Sequence, residues 1–94
     1  MKLEDFRRQL DKIDENLLNI LSSRFEVVKG IAEYKYLNQL NIKDQKRENE
    51  ILDQKKKYGE KLGLDTKFVE NIFELILEES RKIQNEIIKE KNEK

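Results

Sequence analysis

The sequence predicts an all-α fold of three helices, which are long, short and long in chain order. Apolar residues recur at spacings of three and four over long stretches, and the alternation typical of β-strands is absent. The chain contains no proline, so no helix is interrupted by that residue. At 94 residues we expect one domain over residues 1–94, near the lower size limit for a self-sufficient core.

The first helix is predicted from about residue 3 to about residue 37, because an apolar stripe of heptad spacing runs along this stretch and should face the core. Arg24 interrupts the stripe where the spacing calls for an apolar side chain. Burying a guanidinium is costly unless an anion meets it, so Arg24 indicates a polar pocket inside a helical bundle. The stripe comprises Leu3, Phe6, Leu10, Ile13, Leu17, Ile20, Val27, Ile31 and Tyr34.

Local capping signals mark the second and third helices. Asp44 suits the N-cap of a helix over about residues 44–61, and Gly63 suits the position after its C-terminus. Asp65 suits the N-cap of a helix over about residues 66–89. Ser80 interrupts a second apolar stripe on this helix, as Arg24 does on the first. The members of this second stripe are Val69, Ile72, Ile76, Ile83 and Ile87.

Composition excludes several classes of function. Lys+Arg and Asp+Glu both number 20, and this balance argues against a general nucleic-acid binder. Cysteine and histidine are absent, which removes thiolate metal sites and the commonest general base. No apolar run approaches 18 residues and no signal-peptide pattern opens the chain, so we expect a soluble, cytoplasmic protein with no membrane contact. Only 36% of residues are hydrophobic, so we expect association to complete the core.

Helix geometry limits which cations can act together. Lys35 follows Arg24 by 11 residues, or about 16 Å along the axis, so the two side chains could bracket one small molecule. Arg7 precedes Arg24 by 17 residues, or about 25 Å. No straight helix brings Arg7 and Lys35 to one small ligand. If Arg7 belongs to the site, a second copy of the chain must supply it.

The second and third helices carry further polar residues that share a face. Arg47 and Glu48 project one turn after Asp44, while Ser80 and Gln84 form an i, i+4 pair. Taken singly, these residues also fit a cap, a surface ion pair and a polar layer that fixes helix register. Together they favour a site that binds and polarises a polyanionic small molecule. The set lacks a nucleophile–base pair and a metal-binding cluster.

Four stretches of the sequence closely resemble the AroQ-class chorismate mutases, an all-helical family. They are R-x-x-L-D-x-I-D-E-x-L-L from Arg7, R-x-x-x-V-x-x-I-A-x-x-K from Arg24, D-x-x-R-E from Asp44, and F-E-L-I-L-E-E-S-x-x-x-Q from Phe73. The resemblance runs from about residue 3 to residue 88 without a gap. Eight residues match the family's substrate-contacting positions: Arg7, Arg24, Lys35, Asp44, Arg47, Glu48, Ser80 and Gln84.

The resemblance implies an isomerase that converts chorismate to prephenate in the shikimate pathway, without a cofactor or a metal. It also implies an intertwined homodimer, in which Arg7 reaches the site of the other subunit. Arg7 and Arg24 would grip carboxylates of the dianionic substrate. Lys35 and Gln84 would donate hydrogen bonds to the breaking ether oxygen, and Lys35 could also contact a carboxylate.

The remaining matched residues would hold the ring end of the substrate. By the resemblance, Asp44 (through its backbone) and Glu48 bind the ring hydroxyl, while Arg47 and Ser80 complete the site around the ring carboxylate. An isochorismate-pyruvate lyase on the same fold is one alternative, although the lyases depart from this set. A non-catalytic helical dimerisation module is the other, but it does not explain polar residues within the apolar stripes.

Overall fold

The computed structural model describes residues 1–93 and contains three α-helices. They are α1 (Leu3–Leu37), α2 (Gln45–Lys61) and α3 (Thr66–Asn92), so the predicted all-α class and the order of long, short and long helices are confirmed. The third helix ends three residues later than the predicted residue 89. Its last turn packs against α1, because Lys91 Nζ lies 5.6 Å from the ring centroid of Tyr36 and 3.9 Å from Glu33 Oε1.

The predicted caps set the boundaries of α2 and α3. The Asp44 side chain accepts a hydrogen bond of 3.0 Å from the backbone N–H of Arg47, and Asp65 accepts one of 2.9 Å from that of Phe68. Gly63 has a positive φ of 79° directly after α2. This left-handed position allows the N–H of Leu64 to bond back to a carbonyl in the last turn of the helix. Both N-caps and the C-terminal glycine are therefore confirmed.

Helix α3 packs against both of the other helices, and α2 approaches it closely at Gly59. A Cβ at Gly59 would lie 2.7 Å from Val69 Cγ2, so only glycine fits this spacing without a shift. An ion pair of 2.9 Å between Lys56 and Glu70 joins the same two helices further out. Hydrogen bonds from Lys56 and then from Lys67 lower the pKa of Glu70 below its ordinary value of 4.5. These contacts fix the spacing of α2 and α3 at the end away from the cavity described below.

The apolar stripe of α1 does not face the core within one chain, contrary to the sequence prediction. Every residue from 6 to 20 is exposed, with Leu10 and Ile13 more than half accessible. In the C-terminal half of α1, Val28 and Ala32 are buried while Val27 and Tyr34 are exposed. In this half of the helix α3 covers Val28 and Ala32, which lie beside the stripe, whereas Arg24 and Ile31 on the stripe line the cavity described below.

The core of the described chain is small, and only a few side chains of each helix contribute to it. Its buried hydrophobic residues are Val28, Ala32, Ile51, Val69 and Leu77. Two polar residues, Ser80 and Gln84, are buried with them. Ser80 thus occupies a core position as predicted, although its neighbour on the buried face is Leu77. Over residues 1–93, no helix combines the length and the apolar composition needed to cross a membrane.

Candidate active site

A cavity of about 250 Å³ lies where the C-terminal half of α1, the start of α2 and the middle of α3 meet. Apolar side chains, Val28 and Leu77 among them, form part of its wall. The rest of the wall is polar and includes seven of the eight site residues predicted from the sequence. These seven are Arg24, Lys35, Asp44, Arg47, Glu48, Ser80 and Gln84.

Arg24 is oriented by Ser80 across the interface between α1 and α3. Arg24 Nη1 donates a hydrogen bond of 2.9 Å to Ser80 Oγ, and Ser80 Oγ donates one of 2.8 Å to the carbonyl of Ile76. Burial, and secondarily repulsion by Arg47, lower the pKa of Arg24 below its ordinary value. Within residues 1–93 no carboxylate lies within 4.0 Å of its guanidinium. Arg24 is therefore a partly desolvated cation that an anionic ligand could meet.

Lys35 reaches the cavity from the last turn of α1. Its Nζ donates a hydrogen bond of 2.7 Å to the carbonyl of Ile42, in the connection between α1 and α2. Ile42 also lines the cavity, so this bond holds the ammonium group at the wall. Because an ammonium group carries three N–H donors, Lys35 can serve a ligand while it keeps this contact.

Gln84 is buried, with 7% of its surface accessible, and its amide is only half satisfied. Gln84 Nε2 donates a long hydrogen bond of 3.3 Å to the carbonyl of Ser80, whereas Oε1 is buried without a partner in the described chain. A buried polar atom without a partner costs about 1–3 kcal/mol. Rotation of the amide by 180° exchanges the two atoms, so the same side chain can also present its NH2 group. Gln84 is therefore available for a ligand.

Glu48 forms an ion pair with Arg81, a cavity-lining residue that the sequence analysis missed. Arg81 Nη1 donates to Glu48 Oε1 from α3 to α2. Helical spacing gives a partial signal, because Arg81 lies three residues before Gln84 and four after Leu77. The matched family pattern leaves this position open, and it does not predict the partner.

Asp44 and Arg47 line the cavity at the start of α2. The Asp44 carboxylate is engaged in capping α2, and Arg47 Nη1 lies 3.8 Å from Glu50 Oε2. More than half of the Arg47 side chain is exposed, so it can turn toward a ligand at small cost.

Arg7 is the predicted site residue that lies outside the cavity. It is on the exposed part of α1, where its Nη1 forms an ion pair of 2.6 Å with Glu4 Oε1. The straight helix keeps it about 25 Å from Arg24 along the axis, as the sequence spacing requires. The contribution of Arg7 across subunits stays a prediction.

The charge of the cavity wall is positive. Four cationic side chains line it against two carboxylates, and both carboxylates already have partners in Arg81 and the α2 N-terminus. The fold and the wall thus define a class, that of all-helical proteins with a cation-lined cavity between the helices.

Comparison with known proteins narrows this class to one family. The chorismate mutase type II family matches residues 6–85, a range that contains all eight predicted site residues. The chain therefore belongs to the chorismate mutase type II family.

Relatives of two lengths match the chain. The "Bifunctional chorismate mutase/prephenate dehydratase" of Buchnera aphidicola subsp. Schizaphis graminum is 35% identical over 92% of this chain and 22% of its own length. The "T-protein" of Enterobacter agglomerans is 31% identical over 90% of this chain and 23% of its own. The chain thus spans less than a quarter of these two relatives. The "Chorismate mutase" of Methanocaldococcus jannaschii is 28% identical over 99% of this chain and 94% of its own length.

Proposed function

We propose that this chain is a chorismate mutase, an isomerase that rearranges chorismate to prephenate in aromatic amino-acid biosynthesis. The observation that carries the proposal is the half-buried Arg24, which has no carboxylate partner in the described chain and lies in a cavity with excess positive charge. Chorismate is a dianion, so it supplies the charge that such a wall accommodates. Family membership supports the same assignment.

The proposed reaction requires no covalent bond between the substrate and the protein. In this Claisen rearrangement a carbon–oxygen bond breaks and a carbon–carbon bond forms within one molecule, and no proton or group passes to the protein. The catalyst must hold the enolpyruvyl side chain over the ring and stabilise the charge that develops on the ether oxygen. A wall of fixed cations and hydrogen-bond donors meets both needs.

Lys35 and Gln84 are the residues that we assign to the ether oxygen. Lys35 is held at the wall by the carbonyl of Ile42 and keeps two further N–H donors. Gln84 can present its NH2 group, and a ligand would offset the present cost of its buried amide. The hydrogen bonds from both donors become stronger as negative charge develops on the ether oxygen. They therefore lower the activation barrier in addition to binding the substrate.

The carboxylates and the ring hydroxyl of the substrate would be bound by other residues of the wall, cations for the carboxylates and hydrogen-bond acceptors for the hydroxyl. We assign Arg24, together with Arg7 of the partner subunit, to carboxylates, because Arg24 is already oriented by Ser80. Arg47 and Ser80 serve the ring-carboxylate end. The ring hydroxyl is held by Glu48, and by Asp44 through its backbone.

The active form is proposed to be a homodimer. The exposed stripe on the first part of α1 is a long apolar surface that a second copy would cover, including Leu10, Ile13 and Leu17. The same contact would carry Arg7 of one chain to the cavity of the other. One domain over residues 1–94 and a cytoplasmic location stay predictions.

The test is incubation of the purified chain with chorismate, with identification of the product. Prephenate is the expected product, and the chain should release no pyruvate when isochorismate is offered. Pyruvate release would indicate the lyase, and a folded dimer inert toward both compounds would indicate a non-catalytic dimerisation module.

A further inference from the structure

Arg81 and Glu48 connect α2 and α3 at the wall of the cavity. The two residues are 33 positions apart, and Arg81 Nη1 donates to Glu48 Oε1. The side chains are only 31% and 15% exposed, so the pair is better shielded from water than the other ion pairs of the described chain. Shielding strengthens the attraction and makes an unpaired partner costly.

The pair matters because Glu48 is a negative group beside the proposed site of a dianion. Alone, its carboxylate would repel the substrate, which must approach within hydrogen-bonding distance of it. Arg81 compensates this charge on the side of Oε1. A carboxylate has two oxygens, so Oε2 stays able to accept a hydrogen bond from a ligand hydroxyl.

We propose that Arg81 is a positioning residue for the reaction: it orients Glu48 and compensates its charge, so that Glu48 can accept the ring hydroxyl of a dianionic substrate. This inference rests on the proposed function. It assigns to Arg81 an action through Glu48 and no direct contact with substrate.

The main test is the variant Arg81→Met, which keeps an unbranched side chain to pack against α2 but removes the guanidinium and its charge. Loss of a charge-assisted hydrogen bond predicts a fall in kcat/KM of about 10- to 100-fold. The hydroxyl does not react, so its contact is made equally in the ground and transition states. The loss should therefore fall mainly on KM, with kcat changed by less than about threefold.

A double-variant cycle separates action through Glu48 from direct contact. In a Glu48→Gln background, Arg81→Met should cost at least about fivefold less than it does in the wild type, since its partner charge is already gone. An equal cost in both backgrounds would overturn the inference, because Arg81 would then act on substrate by itself.

Lys56→Met is the matched structural control. Lys56 also joins α2 to α3 by an ion pair, but it lies away from the cavity. It should leave KM and kcat unchanged. A rise in KM in Lys56→Met as large as that in Arg81→Met would overturn the inference, since any weakening of the α2–α3 contact would then be enough to raise KM.

Arg81→Lys keeps the charge and guards against a Met variant that fails to fold. Its KM should lie nearer to that of the wild type than the KM of Arg81→Met does. A KM raised 10-fold or more in Arg81→Lys would contradict charge compensation. A wild-type chain that yields no prephenate would overturn both proposals. An active wild type with an unchanged KM in Arg81→Met would overturn only the role of Arg81.

Discussion

Replacement of Arg24 by leucine separates the stability of this fold from its proposed activity. Arg24 is half-buried with no carboxylate near it in the described chain, and Arg47 repels it. Leucine removes both penalties, and Ser80 Oγ keeps its 2.8 Å bond to the carbonyl of Ile76. We therefore expect Arg24→Leu to fold, with an unfolding free energy between that of the wild type and about 1 kcal/mol above it.

Activity should change in the opposite direction. A substrate carboxylate left without its cation in a desolvated site costs about 3–5 kcal/mol. At 1.36 kcal/mol per tenfold, kcat/KM should fall by about 10²- to 10⁴-fold. The assay is chorismate loss measured beside thermal unfolding of the same preparation.

The matched control is Lys57→Leu, which removes an exposed cation paired with Asp53 and should keep its activity. A folded Arg24→Leu chain within about threefold of wild-type kcat/KM would refute the assignment of Arg24 as a substrate anchor. A strongly destabilised one would refute the view that Arg24 is retained at a cost to stability.

Three further predictions follow from other parts of the molecule. Gln84→Glu should be nearly inactive at neutral pH and regain activity as pH falls, because only a protonated carboxyl can donate to the ether oxygen, while the wild type stays comparatively flat; matching profiles at pH 7 to 8 would contradict this role. Mixed Arg7→Ala and Lys35→Ala chains should recover activity that neither has alone, because a hybrid dimer holds one intact site, and fully active monomers in sedimentation would exclude shared sites. Gly59→Ala should lower the unfolding free energy by up to about 2 kcal/mol, since overpacking against Val69 costs about 1–3 kcal/mol while the higher helix propensity of alanine offsets about 1 kcal/mol. The cost of Gly59→Ala should be smaller in a Val69→Ala background, where the clash is relieved, and an equal cost in both backgrounds would contradict the clash.

The sequence predicts the helices well because their boundaries are local. Asp44, Asp65 and Gly63 each act on backbone groups within a few residues, so their effect can be inferred without tertiary structure. The C-terminal boundary of α3 depends on a contact with another helix. Helix α3 extends to Asn92, where Lys91 packs on Tyr36 of α1, and a contact of this kind cannot be inferred from capping residues in the sequence.

The face of α1 that meets α3 could not be inferred from periodicity. The heptad stripe is the stronger apolar pattern, yet the buried residues of α1 are Val28 and Ala32, which do not belong to it. A helix that packs on two different surfaces carries two overlapping apolar patterns. The more apolar pattern then determines which face is predicted to be buried. The pairing of Arg81 with Glu48 is hidden for a related reason, since it depends on the relative rotation of α2 and α3.

The cavity and the thin core are two consequences of the same packing. Ser80 and Gln84 occupy buried positions of α3 that could otherwise hold apolar side chains, and the half-buried Arg24 interrupts the apolar pattern of α1. What is left is a buried hydrophobic set of only five residues in the described chain, which is small for an independent domain. A second copy on the exposed stripe would restore the missing apolar burial. It would also carry its own Arg7 toward the cavity, so dilution below the dimer's dissociation constant should lower stability and activity together.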